Sequence, residues 1–234
     1  MCDAMDIQHA TRLMERCISP SVQHLQHPAA LRLHCRSVSY AAQAIAEALA
    51  TSGMTIDADK AAVMGMIHDV GRSTAGNARH GIEGYWLARE AGFSSDIARV
   101  CVTHMTMGRT AKEAVVAGLL NAEEARRLAE AGIILEDMNL EEQVVGMVDS
   151  RVLGGRFVSL EERIGELEKR KGWLSTAARY NLDRIAELAT SFEQVLGGSL
   201  AQLFPKGDLG LPSSHLSTWR RRRTGQAGAH DRGG

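Results

Sequence analysis

The chain has 234 residues, 44% of them apolar and only 4% aromatic, which allows one large domain whose core must be built from Ala, Leu, Val, Ile and Met. The formal charge of −1 conceals a basic end: residues 205–234 carry six basic and two acidic side chains, a net +4, so the body is −5 and is not that of a dedicated nucleic-acid binder. Cys2, Cys17, Cys35 and Cys101 show no zinc-ribbon or redox spacing, and no apolar run approaches the ~20 residues of a membrane span, so a cytoplasmic protein with reduced thiols and no membrane partner is expected.

Helical periodicity dominates, and no stretch alternates as a strand does. A short amphipathic helix is predicted over 3–17, broken by Ser19-Pro20. Pro28 opens the next, which runs to Thr51 with Leu31, Cys35, Val38, Ala42, Ile45 and Leu49 in one stripe and His34 beside it. Asp57 or Asp59 caps a third helix, which ends in Met64-Gly65-Met66-Ile67-His68-Asp69-Val70-Gly71-Arg72. Gly71 is placed there to supply positive φ at a helix C-terminus, followed by a polar loop over 71–78.

His80 opens a helix with Gly84, Leu87, Ala88 and Ala91 on its inner face, and Ser94 or Ser95 caps another bearing Ile97, Val100, Cys101 and His104. Two short helices (112–120 and 122–131) precede a helix from Leu140 to Val152 that presents Val145, Val148 and Asp149 on one side. Gly154-Gly155 breaks it. A charged surface helix is expected over 159–171. The last strong helix spans Trp173 to Leu196, with Leu174, Ala178, Leu182, Ile185, Leu188, Phe192 and Val195 inward. The reading is an all-α domain over 1–204 and a disordered basic tail over 205–234.

His34, His80, His104 and Asp149 thus lie on or beside the apolar faces of different helices, and His68-Asp69 ends a fifth. Buried titratable groups need partners. Four imidazoles and two carboxylates in one core are satisfied together by two divalent ions, with Asp69 as the natural bridge, and the resulting positive centre suits an anionic substrate. His9, His24, His27, His215 and His230 fall outside this pattern and are expected to be solvated.

The ordered set His34, His68-Asp69, Asp149 resembles the HD superfamily of metal-dependent phosphohydrolases, and in particular the branch whose central motif reads His-Asp-Ile-Gly, with Val70 in place of Ile. Arg79-His80-Gly81 with Gly84, His104 after an apolar run, and Val148-Asp149 followed by Gly155-Arg156-Phe157-Val158-Ser159-Leu160-Glu161-Glu162-Arg163 extend the resemblance over residues 30–165. It implies a helical bundle around a central metal site. His34, His68, Asp69 and Asp149 would form the core site, and His80 and His104 would complete a second one.

By the same resemblance Arg72 would face substrate phosphate; Asp69, beside the metal-activated water, is the expected base, and Arg109 and Arg156 are weaker candidates for phosphate contact. The cofactors implied are two divalent transition metal ions (Mn, Fe, Co, Ni or Zn), and the substrate is a small anion, a phosphoester or nucleotide. Asp149-Ser150 departs from the Asp-Lys of many relatives. Gly84-Tyr85-Trp86, without an adjacent His pair, departs from the cyclic-dinucleotide branch. Hydrolysis is the leading expectation. The alternatives are a di-iron oxygenase of the same superfamily and a non-catalytic nucleotide-binding sensor.

Overall fold

The structure is a computed structural model that describes residues 6–18, 27–75, 79–172, 174–207 and 209. Among the described residues it is helical, with one pair of two-residue strands. The helices are α1 (Ile7–Cys17), α2 (Pro28–Thr51), α3 (Ala58–Ile67), α4 (His80–Glu90), α5 (Ser95–Ala98), α6 (Val100–Thr106), α7 (Ala111–Val116), α8 (Ala122–Glu130), α9 (Leu140–Arg151), α10 (Leu160–Lys171) and α11 (Thr176–Leu196). Among the described residues no helix is long and apolar enough to cross a membrane.

Helix α3 is the centre of the bundle. Asp57 caps it by accepting a hydrogen bond from the Lys60 backbone N–H, and every residue from Ala61 to Ile67 is buried. A helix apolar on all sides belongs in the interior rather than at the edge of a core. α1, α2 and α9 surround it. The long α2 starts at Pro28, which gives up no needed donor at a first helical position. It buries Cys35, Val38, Ala41, Ala42, Ile45, Ala46 and Leu49, a broader face than the predicted stripe. At the α2–α3 crossing a Cβ on Gly65 would lie 2.8 Å from Ser39 Cα, so glycine permits the contact there. Ser39 Oγ also donates to Ala62 O across the same crossing.

Helices α6 and α9 are joined by a buried polar knot. Asn139 and Glu142 form a reciprocal cap on α9. The Glu142 carboxylate, fully buried, also accepts from Arg99 Nε at 2.9 Å and Thr103 Oγ1 at 2.7 Å. Burial pushes its carboxyl up against these partners. Glu142→Ala leaves the Arg99 guanidinium without that carboxylate and removes the side-chain acceptor for Asn139 N–H at the start of α9, so it is expected to cost about 3–5 kcal/mol. Urea unfolding measures it, and a loss under ~1 kcal/mol would mean the knot contributes little.

Several elements differ from the sequence reading. Val70–Ser73 forms a turn of 3-10 helix where a polar loop was expected, and residues 76–78 of that loop lie outside the described residues. The buried side of α4 is His80, Gly81, Ile82, Gly84, Tyr85 and Ala88, whereas Leu87 and Ala91 are only partly buried. Val152–Leu153 pairs antiparallel with Arg156–Phe157. Gly154 and Gly155, at φ 57° and 82°, make the tight turn that a two-residue hairpin loop requires. Val195, expected inward, is exposed on α11, and Trp173 lies outside the described residues. Past α11, Phe204 and Leu209 are buried, with the Phe204 ring 4.6 Å from that of Phe157. The other residues beyond 209, including Arg220 to Arg223, lie outside the described residues, as do His24, His215 and His230.

Candidate metal centre

Asp69 is where the helices converge. α3 ends at His68, and Asp69 turns the chain (φ −108°, ψ 10°) into the 3-10 turn. Its carboxylate is 2% exposed as a residue and points one oxygen to each of two groups of ligands. Oδ2 lies 3.8 Å from His34 Nε2 and 3.7 Å from His68 Nε2. Oδ1 lies 3.1 Å from His80 Nε2 and 3.7 Å from His104 Nε2. Asp149, in the last turn of α9, joins the first group through Oδ1, 2.8 Å from His34 Nε2 and 3.4 Å from His68 Nε2. All six residues singled out from the sequence are thus brought together, as a group of four and a group of three that share Asp69.

The glycines explain how α4 reaches this point. Gly71 does not adopt positive φ, contrary to the sequence reading. A Cβ on it would fall 1.9 Å from His80 O and 2.4 Å from Gly84 N. Glycine is needed for close approach, not for a left-handed turn. Gly81 and Gly84 do the same on the side facing α6, where added Cβ atoms would lie 2.8 Å from Cys101 O and 3.0 Å from Cys101 Cβ. The helix that opens with His80 is thereby wedged between the 3-10 turn and α6.

Hydrogen bonds on the far side of the rings fix which nitrogen faces the centre. His68 Nδ1–H donates to Gly65 O at 2.8 Å, and His104 Nδ1–H donates to Val100 O at 2.9 Å. A carbonyl only accepts, so both rings keep Nδ1 protonated and turn Nε2 inward. Burial, aided by the neighbouring His68, pushes His104 down to about 3. Its Nε2 is therefore a lone pair aimed at a carboxylate oxygen. Two acceptors facing each other across 3.7 Å call for a cation between them. Burial opposes ionisation of Asp69 and Asp149, yet His68 and Arg72 for the first, and His34 and His68 for the second, hold both carboxyls well below the usual range. Neutral imidazoles and ionised carboxylates are the donor set that divalent Mn, Fe, Co, Ni or Zn takes.

His68 differs from His104. Burial lowers it, but the Asp69 and Asp149 carboxylates outweigh burial and raise its pKa above the ordinary value of 6.5. A proton held there competes with metal. Metal affinity is therefore expected to fall as pH drops through that raised value, with the decline beginning above pH 6.5, while His104 contributes no competition until about pH 3. Titrations of Mn²⁺ by calorimetry between pH 5.5 and 8.5 test this. An affinity constant across that range would contradict it.

Arg72 sits on the centre itself. Its Nε donates to Asp69 Oδ2 at 2.6 Å, and its side chain is 38% exposed. The two weaker candidates have other partners. Arg109 is buried and bonds to Thr106 O, Asn181 Oδ1 and Ala177 O, and Arg156 pairs with Glu162 at 3.3 Å. His9, expected to be solvated, is half-buried, with Nε2 2.9 Å from Ala91 O and its ring edge-on to Phe93. Cys35 was read from the sequence only as part of the apolar stripe. It is buried next to Asp69, and burial with that carboxylate pushes its thiol well up, which leaves it unreactive.

The HD domain family model matches residues 32–149, just over half the chain, beginning two residues before His34 and ending at Asp149. The chain belongs to the HD domain family. An uncharacterized protein of Methanocaldococcus jannaschii is 30% identical over 139 residues, which is 59% of this chain and 76% of that protein. No solved structure gives a significant match. The HD family is one of metal-dependent phosphohydrolases whose domains bind divalent metals, and the buried His/Asp cluster is compatible with that. All six candidate ligands fall inside the matched HD region, whereas α10 and α11 fall outside it.

Proposed function

We propose that this HD protein hydrolyses a phosphoester or nucleotide at a dinuclear centre held by His34, His68, Asp69 and Asp149 on one side and Asp69, His80 and His104 on the other. The observation that carries the reading is the division of Asp69, one carboxylate oxygen toward each group. When bound, the metals supply an activated water and neutralise phosphoryl charge.

The protein's own side chains account for access and orientation. The His34 and Asp149 side chains are 24% and 26% exposed, against 7% and 4% for His80 and His104. Substrate therefore approaches from the His34–Asp149 side. Arg72, also part-exposed, holds Asp69 Oδ2 and adds positive charge at that side, where a small anionic substrate is oriented by charge-assisted contacts. Asp69 positions both halves, and against the cost of burial the neighbouring His68 and Arg72 keep it ionised. His68 and His104 are locked in orientation by Gly65 O and Val100 O.

The test is a screen of phosphomonoesters, nucleotides and phosphodiesters with Mn, Co, Ni or Mg, in air and without oxygen. Release of phosphate or a nucleotide product without oxygen supports hydrolysis. A requirement for dioxygen and ferrous iron would make the protein an oxygenase instead. Arg72→Ala is expected to retain metal, because a guanidinium is not a ligand, and to raise KM about tenfold through loss of one charge-assisted contact. Loss of metal in that variant would show that Arg72 acts by orienting Asp69.

A further inference from the structure

Helix α6 delivers His104 under conditions that should not favour a stable helix end. It has seven residues, too few to be stable alone. It stops at Met107, the only described non-glycine residue with positive φ (50°), followed by Gly108 at φ 81°. A left-handed methionine costs on the order of 1 kcal/mol and persists only where its surroundings enforce it. Met107 is buried against α9, where a Cβ on Gly146 would lie 2.7 Å from its sulfur.

The last carbonyls of α6 are taken up by Arg109, just past its end, and by α11, which lies outside the HD match. Asn181, on α11, donates Nδ2–H to Met105 O at 3.1 Å. Arg109 folds back to donate Nη1–H to Thr106 O at 3.1 Å, and the same nitrogen donates to Asn181 Oδ1 at 2.5 Å. Its Nη2–H reaches Ala177 O at 3.0 Å, and its guanidinium lies 3.8 Å over the Tyr180 ring. Arg109 is 4% exposed, and these contacts are to neutral groups. A buried guanidinium bonded at several points, spanning two helices, fixes geometry more than it serves solubility. The residue one position before Met105 is His104.

We propose that Arg109 and Asn181 are positioning residues for His104: α11, lying beyond the HD match, clamps the strained end of α6 and thereby sets the ligand geometry of the Asp69–His80–His104 position. This rests on the two-position reading of the centre. Cutting the clamp lets the last turn of α6 relax, and His104 sits in that turn. The Asp69–His34–His68–Asp149 position draws nothing from α6.

The experiment titrates Co²⁺ into the metal-free full chain by calorimetry and absorption, alongside thermal unfolding. Asn181→Ala is the main variant. Alanine has the higher helix propensity, so α11 itself is not weakened. The expected result is a tenfold or greater loss of affinity for one of two ions, the scale seen when a group orienting a ligand is removed. The other ion should bind as before, and the metal-free Tm should change by only a few degrees. Arg109→Lys, which keeps the charge but cannot span the same acceptors, should give the same selective loss. Adding Asn181→Ala to His104→Ala should produce no further loss. Two outcomes overturn the inference: unchanged affinity for both ions with a lowered Tm, or equal weakening of both. Wild-type protein that binds fewer than two ions overturns the two-position reading itself, and that result is visible before any variant is made.

Discussion

Asp69→Asn is expected to cut metal content from about two ions per chain to below one and to lower phosphohydrolase turnover about a thousandfold or more. Among the described residues Asp69 is the candidate ligand shared by both groups. Its Oδ2 looks to His34 and His68, and its Oδ1 to His80 and His104. An amide keeps the shape but offers one oxygen, and its NH₂ would point donors at whichever group it faced. The negative charge that holds two cations near each other is also lost. Arg72 loses its ionic partner but is exposed enough to turn to water, so the metal-free fold should survive. Elemental analysis after dialysis and a steady-state assay measure the two effects. An Asp69→Asn protein that retains two ions would refute the bridging role, and one that retains activity would refute the proposed chemistry.

What the sequence disclosed about this centre was local, and what it withheld was long-range. Pro28 and the apolar stripe through Cys35, Val38, Ala42 and Ile45 placed His34 on α2, because capping and periodicity depend on near neighbours. Asp57 likewise marked the start of the helix that ends in His68. The ordered ligands were legible by their resemblance to a known family. Which oxygen of Asp69 faces which imidazole was not, because that follows from the packing of α2, α4, α6 and α9 around α3.

Arg72 on Asp69 was also beyond reach, although only three residues separate them, because spacing does not fix where a long side chain points from a 3-10 turn. So was the Arg109–Asn181 contact, which joins positions 72 residues apart. The hairpin at Gly154-Gly155 escaped because two-residue strands have no alternation to read. Gly71 shows the difficulty most sharply. Its position after a helix suggested a left-handed cap, whereas the reason for glycine lies in α4, which a local reading cannot see.

That reason makes Gly71 the most sensitive backbone position of the centre. Gly71→Ala is expected to destabilise the protein by ~3 kcal/mol or more, at the upper end of what an added methyl costs in a packed interior. The new Cβ would meet His80 O at 1.9 Å and Gly84 N at 2.4 Å. Both are backbone atoms, so no rotamer change relieves the overlap. The 3-10 turn and α4 must move apart. Asp69 precedes that turn and His80 opens that helix, so separation also pulls the ligands of the inner position away from each other.

Two readouts should therefore change together: the urea midpoint of the metal-free protein and the affinity for one of two ions. Gly53→Ala is the control. Gly53 has φ 94° with nothing within 4 Å of the added methyl, so it should cost only the left-handed strain, about 1 kcal/mol, with metal binding unchanged. Were Gly71→Ala no more damaging than Gly53→Ala, the close approach of α4 to the Asp69 turn would not be what holds His80 against the carboxylate.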